Sequence, residues 1–293
     1  MAQSFTAVGT GALAKSDDRK RRSVLVTGAA GRIGSYFAEH SRDSYDLRLM
    51  VRESDEEIDR IRPFGGVVTA DLLDLDRLEE VCQGIDTVVH MAGDPDASAT
   101  WRELLDANIV GSYNIFVAAK SAGCRRVIHA SSIHAVSGYP RDVQVRTSDP
   151  VNPGDLYGVS KCFGEAMGRY MAEKEGLSVI TLRIGAFQPI EAARKESSFS
   201  MMDAFVSDRD LNQLINRCIQ VENVQFAILH GLSDNRFKRL DISDARELVG
   251  YEPEDDLTSE NPRLKPLRLS ESVPSHSVVD GQKSGIREEV APR

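Results

Sequence analysis

Short apolar runs alternate with longer stretches of helical periodicity between residues 23 and 185. Val, Ile, Leu and Met are frequent in the runs at 23–27, 46–51, 66–70, 87–91, 126–130 and 178–183. These runs are mostly continuous rather than strictly alternating, which is typical of strands covered by helices on both faces. The repeated order of strand and helix predicts an α/β fold with a doubly wound parallel sheet.

The pattern changes after Gly185. One helix is predicted at 210–221 and one strand at 224–230. We interpret 186–252 as a small C-terminal substrate cap, interleaved with the sheet domain at 23–185. This division leaves little chain for a large substrate-binding domain.

Both ends of the chain contain few of the large apolar residues that build a core. Residues 253–293 are rich in Pro, Ser and acidic residues, and residues 1–22 end in the basic run Arg19–Arg22. This composition predicts a flexible tail at each end. The segment 4–15 is free of acidic residues, so an organellar transit peptide stays open as an alternative to a cytoplasmic location.

The composition is that of an ordinary soluble globular protein. The 293 residues are 41% hydrophobic and 28% charged, and the formal net charge is −9. An acidic chain whose one basic run is the short segment 19–22 predicts no nucleic-acid partner, and no stretch approaches the roughly 20 apolar residues of a membrane span. Cys82, Cys124, Cys162 and Cys218 stand singly, so we predict no metal site and a reducing, cytoplasmic location.

A glycine-rich turn follows the first predicted strand directly. Residues 27–34 read Thr-Gly-Ala-Ala-Gly-Arg-Ile-Gly and open a predicted helix. In such a turn Gly28 makes the tight bend, Gly31 lets the backbone approach a pyrophosphate, and Gly34 allows close packing of helix on sheet. The helix N-terminus offers N–H groups to the phosphates. The predicted dinucleotide site of this Rossmann fold also includes Ala30, Arg32 and Ile33.

The end of the second strand bears on the choice between NAD and NADP. An acidic residue there binds the ribose 2′-hydroxyl of NAD, whereas an arginine accommodates the 2′-phosphate of NADP. The strand ends in Val51-Arg52, and Glu53 follows. Arg52 therefore favours NADP, and NAD remains the alternative.

Candidate catalytic side chains lie at the ends of two later elements. Ser131 and Ser132 close the fifth strand, and Tyr157 and Lys161 are four residues apart on one face of a long predicted helix. A phenol with a pKa of about 10 is a weak base at neutral pH, but a neighbouring ammonium favours the phenolate. We predict that Tyr157 is the general base for a substrate hydroxyl, with its pKa lowered by Lys161. Ser132 is predicted to bind the same oxygen.

These motifs resemble those of extended short-chain dehydrogenases/reductases of the NAD-dependent epimerase/dehydratase family, over residues 23–253. The segments 156–165 and 182–185 are especially similar to uronate dehydrogenases, and 90–95 and 231–235 to haloarchaeal NAD-dependent glucose-6-phosphate dehydrogenases. The resemblance implies oxidation of a sugar or sugar acid at C1, with hydride transfer to NAD or NADP. It also implies cofactor contacts from Asp71, Leu72, Ala92, Gly93, Asn108, Tyr157, Lys161 and Ile184.

The same resemblance implies substrate contacts, although the pattern departs from that of uronate dehydrogenases. Ser132 and His134 match the relatives, but Ile133 replaces the Asn that they carry between these two positions. The resemblance therefore implies that His134 faces the substrate, without the Asn that touches the sugar in the relatives. A partly buried structural role for His134 remains the alternative.

Two further substrate positions differ in the cap. Ala186 stands where the uronate dehydrogenases have Ser, and Ser200 stands at or near the Arg that binds their sugar carboxylate. An Arg–carboxylate pair supplies both charge recognition and orientation, so its loss counts against an acidic sugar. Arg194 or Lys195 could replace that arginine.

Two other functions are compatible with these motifs. A nucleotide-sugar epimerase or dehydratase would return the hydride to an intermediate, but the short cap leaves little room for a nucleotide-sugar pocket. A non-catalytic dinucleotide-binding or sensing protein is the second, since a fold alone does not determine function; the intact catalytic residues count against it. By resemblance we also expect a homodimer formed through the helices around 104–119 and 157–175.

Overall fold

A seven-stranded parallel sheet lies at the centre of the structure, a computed structural model that describes residues 21–55 and 57–267. In chain order the strands are β1 (Ser23–Thr27), β2 (Asp46–Val51), β3 (Gly66–Thr69), β4 (Thr87–His90), β5 (Arg126–Ser132), β6 (Ser178–Ile184), β7 (Ala186–Gln188), β8 (Phe205–Ser207) and β9 (Phe226–Gly231). Strands β7 and β8 form a separate parallel pair. The others form the main sheet in the order β3-β2-β1-β4-β5-β6-β9.

Helices connect the strands. In chain order they are α1 (Arg32–Ser41), α2 (Ile58–Ile61), α3 (Leu75–Cys82), α4 (Trp101–Leu104), α5 (Gly111–Ser121), α6 (Leu156–Glu173), α7 (Ile190–Ala193), α8 (Asp208–Gln220), α9 (Ser243–Val249) and α10 (Leu257–Glu260). A π-helical segment, Leu105–Val110, joins α4 to α5, and one 3₁₀ turn, Ile133–Val136, follows β5.

The two faces of the sheet are buried in separate hydrophobic clusters. Val24 and Val26 of β1 pack with Phe37 of α1 and the apolar side of α8, whereas Leu25 between them packs with Phe116 of α5 and with α3 and α6. Successive side chains of a strand point to opposite faces, so a strand between two helical layers must be apolar at every position. This explains the continuous apolar runs and confirms the predicted doubly wound α/β fold.

The strand order reverses between β1 and β4, which lie side by side in the middle of the sheet. In open parallel sheets, ligands bind outside the carboxyl ends of the strands at such a reversal. The glycine-rich turn follows β1, and Ala92 and Gly93 come shortly after β4. The fold therefore brings these two segments together at the expected binding edge.

The chain beyond residue 252 differs from the predicted tail as far as residue 267. Leu257 and Leu264 are buried in a small cluster with Phe205, and Asn235 Oδ1 accepts a hydrogen bond of 3.1 Å from Leu257 N. Asn261 donates to Lys195 O at 2.9 Å. Leu257, Leu264 and the buried amide of Asn261 hold this segment against the rest of the protein. So few anchoring residues do not stand out in a segment of polar composition.

The predicted N-terminal tail, apart from its last two residues, and the C-terminal tail from residue 268 lie outside the described residues. The boundary between sheet domain and cap stays a prediction. Within the described part of the chain, every helix is too short or too polar to cross a bilayer.

Candidate active site

The glycine-rich turn between β1 and α1 leaves no space for a side chain at Gly28 or Gly34. Gly28 has a φ of +65°, and a Cβ there would lie 2.8 Å from Ala92 N. A Cβ on Gly34 would lie 2.4 Å from Gly28 O, inside any normal contact distance. Gly28 is therefore needed for both its backbone conformation and its proximity to β4, and Gly34 for the packing of α1, as predicted.

The N-terminus of α1 is open to an anion. Gly31 is the N-cap residue, no side chain caps the helix, and the first turn carries no acidic residue. The first N–H groups of a helix need partners from outside it, and the helix dipole favours negative charge there. The sequence from Gly31 to Gly34 thus forms a site that fits a pyrophosphate.

A cavity of about 690 Å³ extends from this turn along the carboxyl edge of the sheet. Predicted cofactor residues in its wall are Gly28, Ala30, Gly31, Arg52, Asp71, Leu72, Ala92 and Gly93. Ile33 and Ile184 instead belong to the core beneath it. The structure therefore brings most of the predicted dinucleotide residues into one groove.

Arg32 does not line this groove but connects it with the cap. Its guanidinium donates to Phe187 O at 3.0 Å and to Gln188 Oε1 at 2.9 Å, and lies 5.8 Å from the centre of the Phe187 ring. Arg32 is the first residue of α1, and its two partners are in β7. The residue thus ties the phosphate-binding turn to the strand that begins at Ala186.

Arg52 has a partner that the sequence analysis did not consider. Its guanidinium lies 3.1 Å from Asp55 Oδ1, and its backbone N–H donates to Asp55 Oδ2 at 2.9 Å. The Asp55 side chain is only 17% exposed and lines the same cavity, with Glu57 nearby. A carboxylate therefore lies at the end of β2 after all, three residues beyond the position that the motif marks.

The predicted catalytic trio, Ser132, Tyr157 and Lys161, converges at the carboxyl end of β5. Ser132, Tyr157 and Lys161 are 6%, 8% and 7% exposed, so all three are shielded from bulk water. Lys161 Nζ donates to Ala130 O at 3.1 Å and lies 5.4 Å from the centre of the Tyr157 ring. The helix thus presents both residues toward the end of β5, as the four-residue spacing predicts.

Burial dominates the electrostatics of this pair. Burial raises the pKa of Tyr157, an effect that a hydrogen bond with Ser132 opposes and the charges of Asp155 and Asp94 reinforce. Burial also lowers the pKa of Lys161 to about 8. The predicted lowering of the phenol pKa is therefore not found in the cofactor-free protein. Burial disfavours the charged form of each group, the phenolate of Tyr157 and the ammonium of Lys161.

Asn108 holds the loop that follows β4. Its Oδ1 accepts from Asp94 N at 2.8 Å, and its Nδ2 donates to Asp94 O and to Ser160 Oγ, each at 3.0 Å. A Cβ on Gly93 would lie 2.8 Å from Asn108 Oδ1 and 3.5 Å from Lys161 Nζ. Gly93 thus lets the backbone pass close to Asn108 and Lys161, where a side chain would not fit, and it lines the cavity beside them.

His134 lies beside the trio, whereas the cap residues are engaged elsewhere. The backbone N–H of His134 donates to Ser132 Oγ at 3.2 Å, and its ring stands edge-on to that of Tyr157, 5.3 Å between centres. Ser200 donates to Ser197 O in its own turn, and Arg194 pairs with Glu260 at 2.9 Å. Ala186 is half-buried at the start of β7.

Comparison with known proteins agrees with this geometry. NAD-dependent glucose-6-phosphate dehydrogenase of Haloferax volcanii is 35% identical over 246 residues, which cover 79% of this chain and 93% of that protein. Uronate dehydrogenase of Pseudomonas putida is 32% identical and covers 79% of this chain and 84% of its own. The L-arabinose 1-dehydrogenase (NAD(P)(+)) of Haloferax volcanii is also 32% identical, over 79% of this chain and 96% of its own.

The solved structures give the same result at the level of the fold. The crystal structure of uronate dehydrogenase from Agrobacterium tumefaciens superposes with a TM-score of 0.72 at 28% identity, covering 88% of this chain and 91% of the other. A UDP-galactose 4-epimerase at 19% identity shares the fold, with a TM-score of 0.66. The family described as NAD dependent epimerase/dehydratase matches residues 24–244. With its glycine turn, its buried Ser-Tyr-Lys trio and these matches, the chain belongs to the NAD-dependent epimerase/dehydratase family.

Proposed function

We propose that this protein oxidises a sugar at its C1 hydroxyl and transfers the hydride to NAD. The observation that carries the proposal is the burial of Ser132, Tyr157 and Lys161 beside Gly93, which lines the cavity that begins at the glycine turn. Similar proteins include a glucose-6-phosphate dehydrogenase, a uronate dehydrogenase and an L-arabinose dehydrogenase. Sugar oxidation is the chemistry that these three share.

The residues of the groove fit a nicotinamide dinucleotide. Gly28, Gly31 and the N-terminus of α1 would hold its diphosphate, Asp71 and Leu72 would border the adenine, and Gly93 would admit the nicotinamide end. When bound, the oxidised nicotinamide supplies a hydride acceptor and a positive charge. The protein supplies orientation, exclusion of water and removal of one proton.

That proton passes to Tyr157. The hydrogen bond with Ser132 favours the phenolate, whereas burial opposes it, and positive charge from a bound oxidised nicotinamide would favour the phenolate as well. Lys161, with its pKa lowered to about 8, is still largely protonated at neutral pH and adds to the positive charge beside the phenol. Tyr157 then takes the proton from the sugar hydroxyl while Ser132 binds the same oxygen, a step worth roughly 10²- to 10⁴-fold.

For the cofactor we infer a preference for NAD, in place of the preference for NADP that Arg52 suggested. Asp55 neutralises Arg52, and Glu57 and Asp71 add negative charge to the same end of the cavity. A 2′-phosphate would meet these carboxylates, whereas a 2′-hydroxyl can donate to one of them. The charge balance of this end therefore supports NAD.

For the substrate we infer a neutral rather than an acidic sugar. Ser200 lacks the charge that a sugar carboxylate needs; of its two candidate replacements, Arg194 is paired with Glu260 at 2.9 Å and Lys195 is exposed. Asp94 and Asp155 add negative charge around Tyr157. A substrate with hydroxyl groups alone fits these surroundings best.

The assembly and location complete the proposal. Tyr113 of α5 and Tyr170 of α6 are 47% and 51% exposed on neighbouring helices, which supports the homodimer expected from the family. The cytoplasmic location stays a prediction from the single cysteines.

Absorbance at 340 nm tests the reaction directly. NAD and NADP are each supplied with neutral aldoses, glucose 6-phosphate, glucuronate and galacturonate, and Tyr157→Phe is the matched control. We expect reduction of NAD with a neutral aldose by the wild-type protein and a loss of at least about 10²-fold in the variant. Wild-type protein that binds NADH but reduces no cofactor with any sugar would refute the proposal and favour epimerase, dehydratase or binding functions.

A further inference from the structure

One carboxylate beside the catalytic trio serves two partners. Asp155 is the N-cap of α6, and its Oδ1 accepts from Gly158 N at 2.7 Å. Its Oδ2 lies 2.6 Å from His134 Nδ1. The two side chains are 26% and 34% exposed, so the pair lies at the edge of the site, two residues before Tyr157.

The hydrogen-bond inventory fixes the proton on this histidine. An ionised carboxylate is only an acceptor, so His134 Nδ1 must carry the hydrogen of the 2.6 Å contact. In the neutral ring Nε2 then has a free lone pair, and among the described residues no group bonds to it. The ring stands edge-on to Tyr157, and the backbone N–H of His134 donates to Ser132 Oγ.

We propose that Asp155 is a positioning residue that holds His134 in its Nδ1–H tautomer, so that Nε2 accepts a hydrogen bond from a second hydroxyl of the sugar. The inference rests on the proposed sugar oxidation and deepens it. A lone pair at this position binds a hydroxyl, which can donate, and repels a carboxylate, which cannot. Asp155 thereby selects for a hydroxyl group next to the one that Tyr157 deprotonates.

The double role of Asp155 also aligns the two sides of the site. The same carboxyl group fixes the first turn of α6, which carries Tyr157, and the turn after β5, which carries His134. A substrate held by both side chains therefore meets a fixed distance between base and acceptor. Small errors in such a distance are costly in rate.

Asp155→Asn should keep the helix cap but change the tautomer of His134. Asparagine caps helices as well as aspartate does, so its Oδ1 can still accept from Gly158 N. Its Nδ2 donates, which moves the proton of His134 to Nε2 and turns the acceptor into a donor. Asp74→Asn is the matched control, because Asp74 caps α3 in the same way, accepting from Arg77 N at 3.0 Å.

The first readout is the tautomer itself, in the full-length cofactor-free protein. Nitrogen-15 NMR of the six histidines, with His134 assigned from the spectrum of His134→Gln, distinguishes Nδ1–H from Nε2–H. We expect Nδ1–H in the wild type and in Asp74→Asn, and Nε2–H in Asp155→Asn. An unchanged His134 signal in Asp155→Asn would overturn the inference.

The second readout is kinetic and tests whether Asp155 acts through His134. We expect kcat/KM for the preferred aldose to fall by about 10²-fold in Asp155→Asn, and to fall no further when the substitution is added to His134→Gln. An equal loss in both backgrounds would show that Asp155 acts only through the helix and would refute the inference. If the wild type oxidises no sugar, the proposed function fails, and the NMR result alone decides the role of Asp155.

Discussion

At the scale of single residues, burial lowers the pKa of Lys161, the predicted catalytic lysine. The pKa of Lys161 falls from 10.5 to about 8 because its ammonium is removed from water. Between these values the unfolded chain binds more protons than the folded one, so stability rises with pH across that window. Below about pH 8 the full cost of burying the charge is present, and it disappears as the pH passes 10.5.

This cost predicts that Lys161→Met stabilises the protein while inactivating it. Removal of the buried charge raises the free energy of unfolding by up to about 3 kcal/mol at pH 7, and kcat falls by about 10²-fold or more. Urea unfolding followed by circular dichroism measures the gain, which should shrink as the pH approaches 10.5. The exposed Lys174→Met is the control, and a less stable Lys161→Met at pH 7 would contradict the prediction.

The proposed preference for NAD also depends on single side chains. Arg52 at the tip of the second strand and Glu53 directly after it were the residues visible in the motif, whereas Asp55 reaches the same place from the turn that follows. The turn after β2 folds Asp55 back onto Arg52, three residues earlier in the chain. A motif that considers only the end of the strand does not include such a residue. The preference for NADP was inferred from Arg52 without its partner.

Asp55→Asn should therefore shift the protein toward NADP. The substitution removes a carboxylate and frees the charge of Arg52 for a phosphate, and interactions of this kind are worth about 1.5–3 kcal/mol. We expect the ratio of the Kd for NADPH to that for NADH to fall by about tenfold or more, measured by nucleotide fluorescence. The control is Asp59→Asn, which removes an exposed carboxylate of α2 that pairs with Arg62. An equal ratio of the two Kd values in both variants counts against a role for Asp55.

At the scale of elements, the sequence predicted what local chemistry dictates. Strands β1 and β2 match their predicted bounds because burial on both faces forces an apolar side chain at nearly every position. The glycine turn was predicted because only glycine tolerates such close contacts. The π-helical segment Leu105–Val110 and the packing of residues 253–267 depend on contacts between distant parts of the chain, so local patterns did not indicate them.

The packing of α1 on its turn gives a prediction about cofactor binding. In Gly34→Ala the new Cβ would lie 2.4 Å from Gly28 O, so α1 has to move away from the turn that we predict to bind the diphosphate. Overpacking of this kind costs about 1–3 kcal/mol, and we expect NADH to bind about tenfold more weakly in a fluorescence titration. Gly84→Ala is the control, because Gly84 also has a positive φ of +72° but open space around it.

The two glycine variants separate strain from position. Both should lose about 1 kcal/mol or more of stability, Gly84→Ala from its backbone conformation alone. Only Gly34→Ala should change the Kd for NADH. Equal affinities in the two variants would mean that the position of α1 does not control binding.

At the scale of the whole molecule, two neighbouring helices expose large apolar side chains. Helix α5 packs beside α6, and Tyr113 and Tyr170 are exposed on these helices, as is Val159 at 43%. Large apolar side chains grouped on adjacent helices commonly mark a contact between subunits. Because α6 also carries Tyr157 and Lys161, a second subunit packed here would stiffen the helix that carries the catalytic pair.

The wild-type protein should therefore be a dimer at micromolar concentration, with twice the 32.2 kDa mass of one chain in multi-angle light scattering. In the double variant Tyr113→Glu and Tyr170→Glu, dimer formation would bury carboxylates that have no partners. This variant should therefore run as a monomer. Phe237→Glu, at a position that is 39% exposed away from α5 and α6, should remain dimeric. A monomeric wild type would remove the assembly from the proposal, and a dimer that only Phe237→Glu disrupts would move the contact to the cap side.

Loss of activity on dissociation, with NADH binding retained, would connect assembly to the alignment of Tyr157 rather than to the cofactor groove.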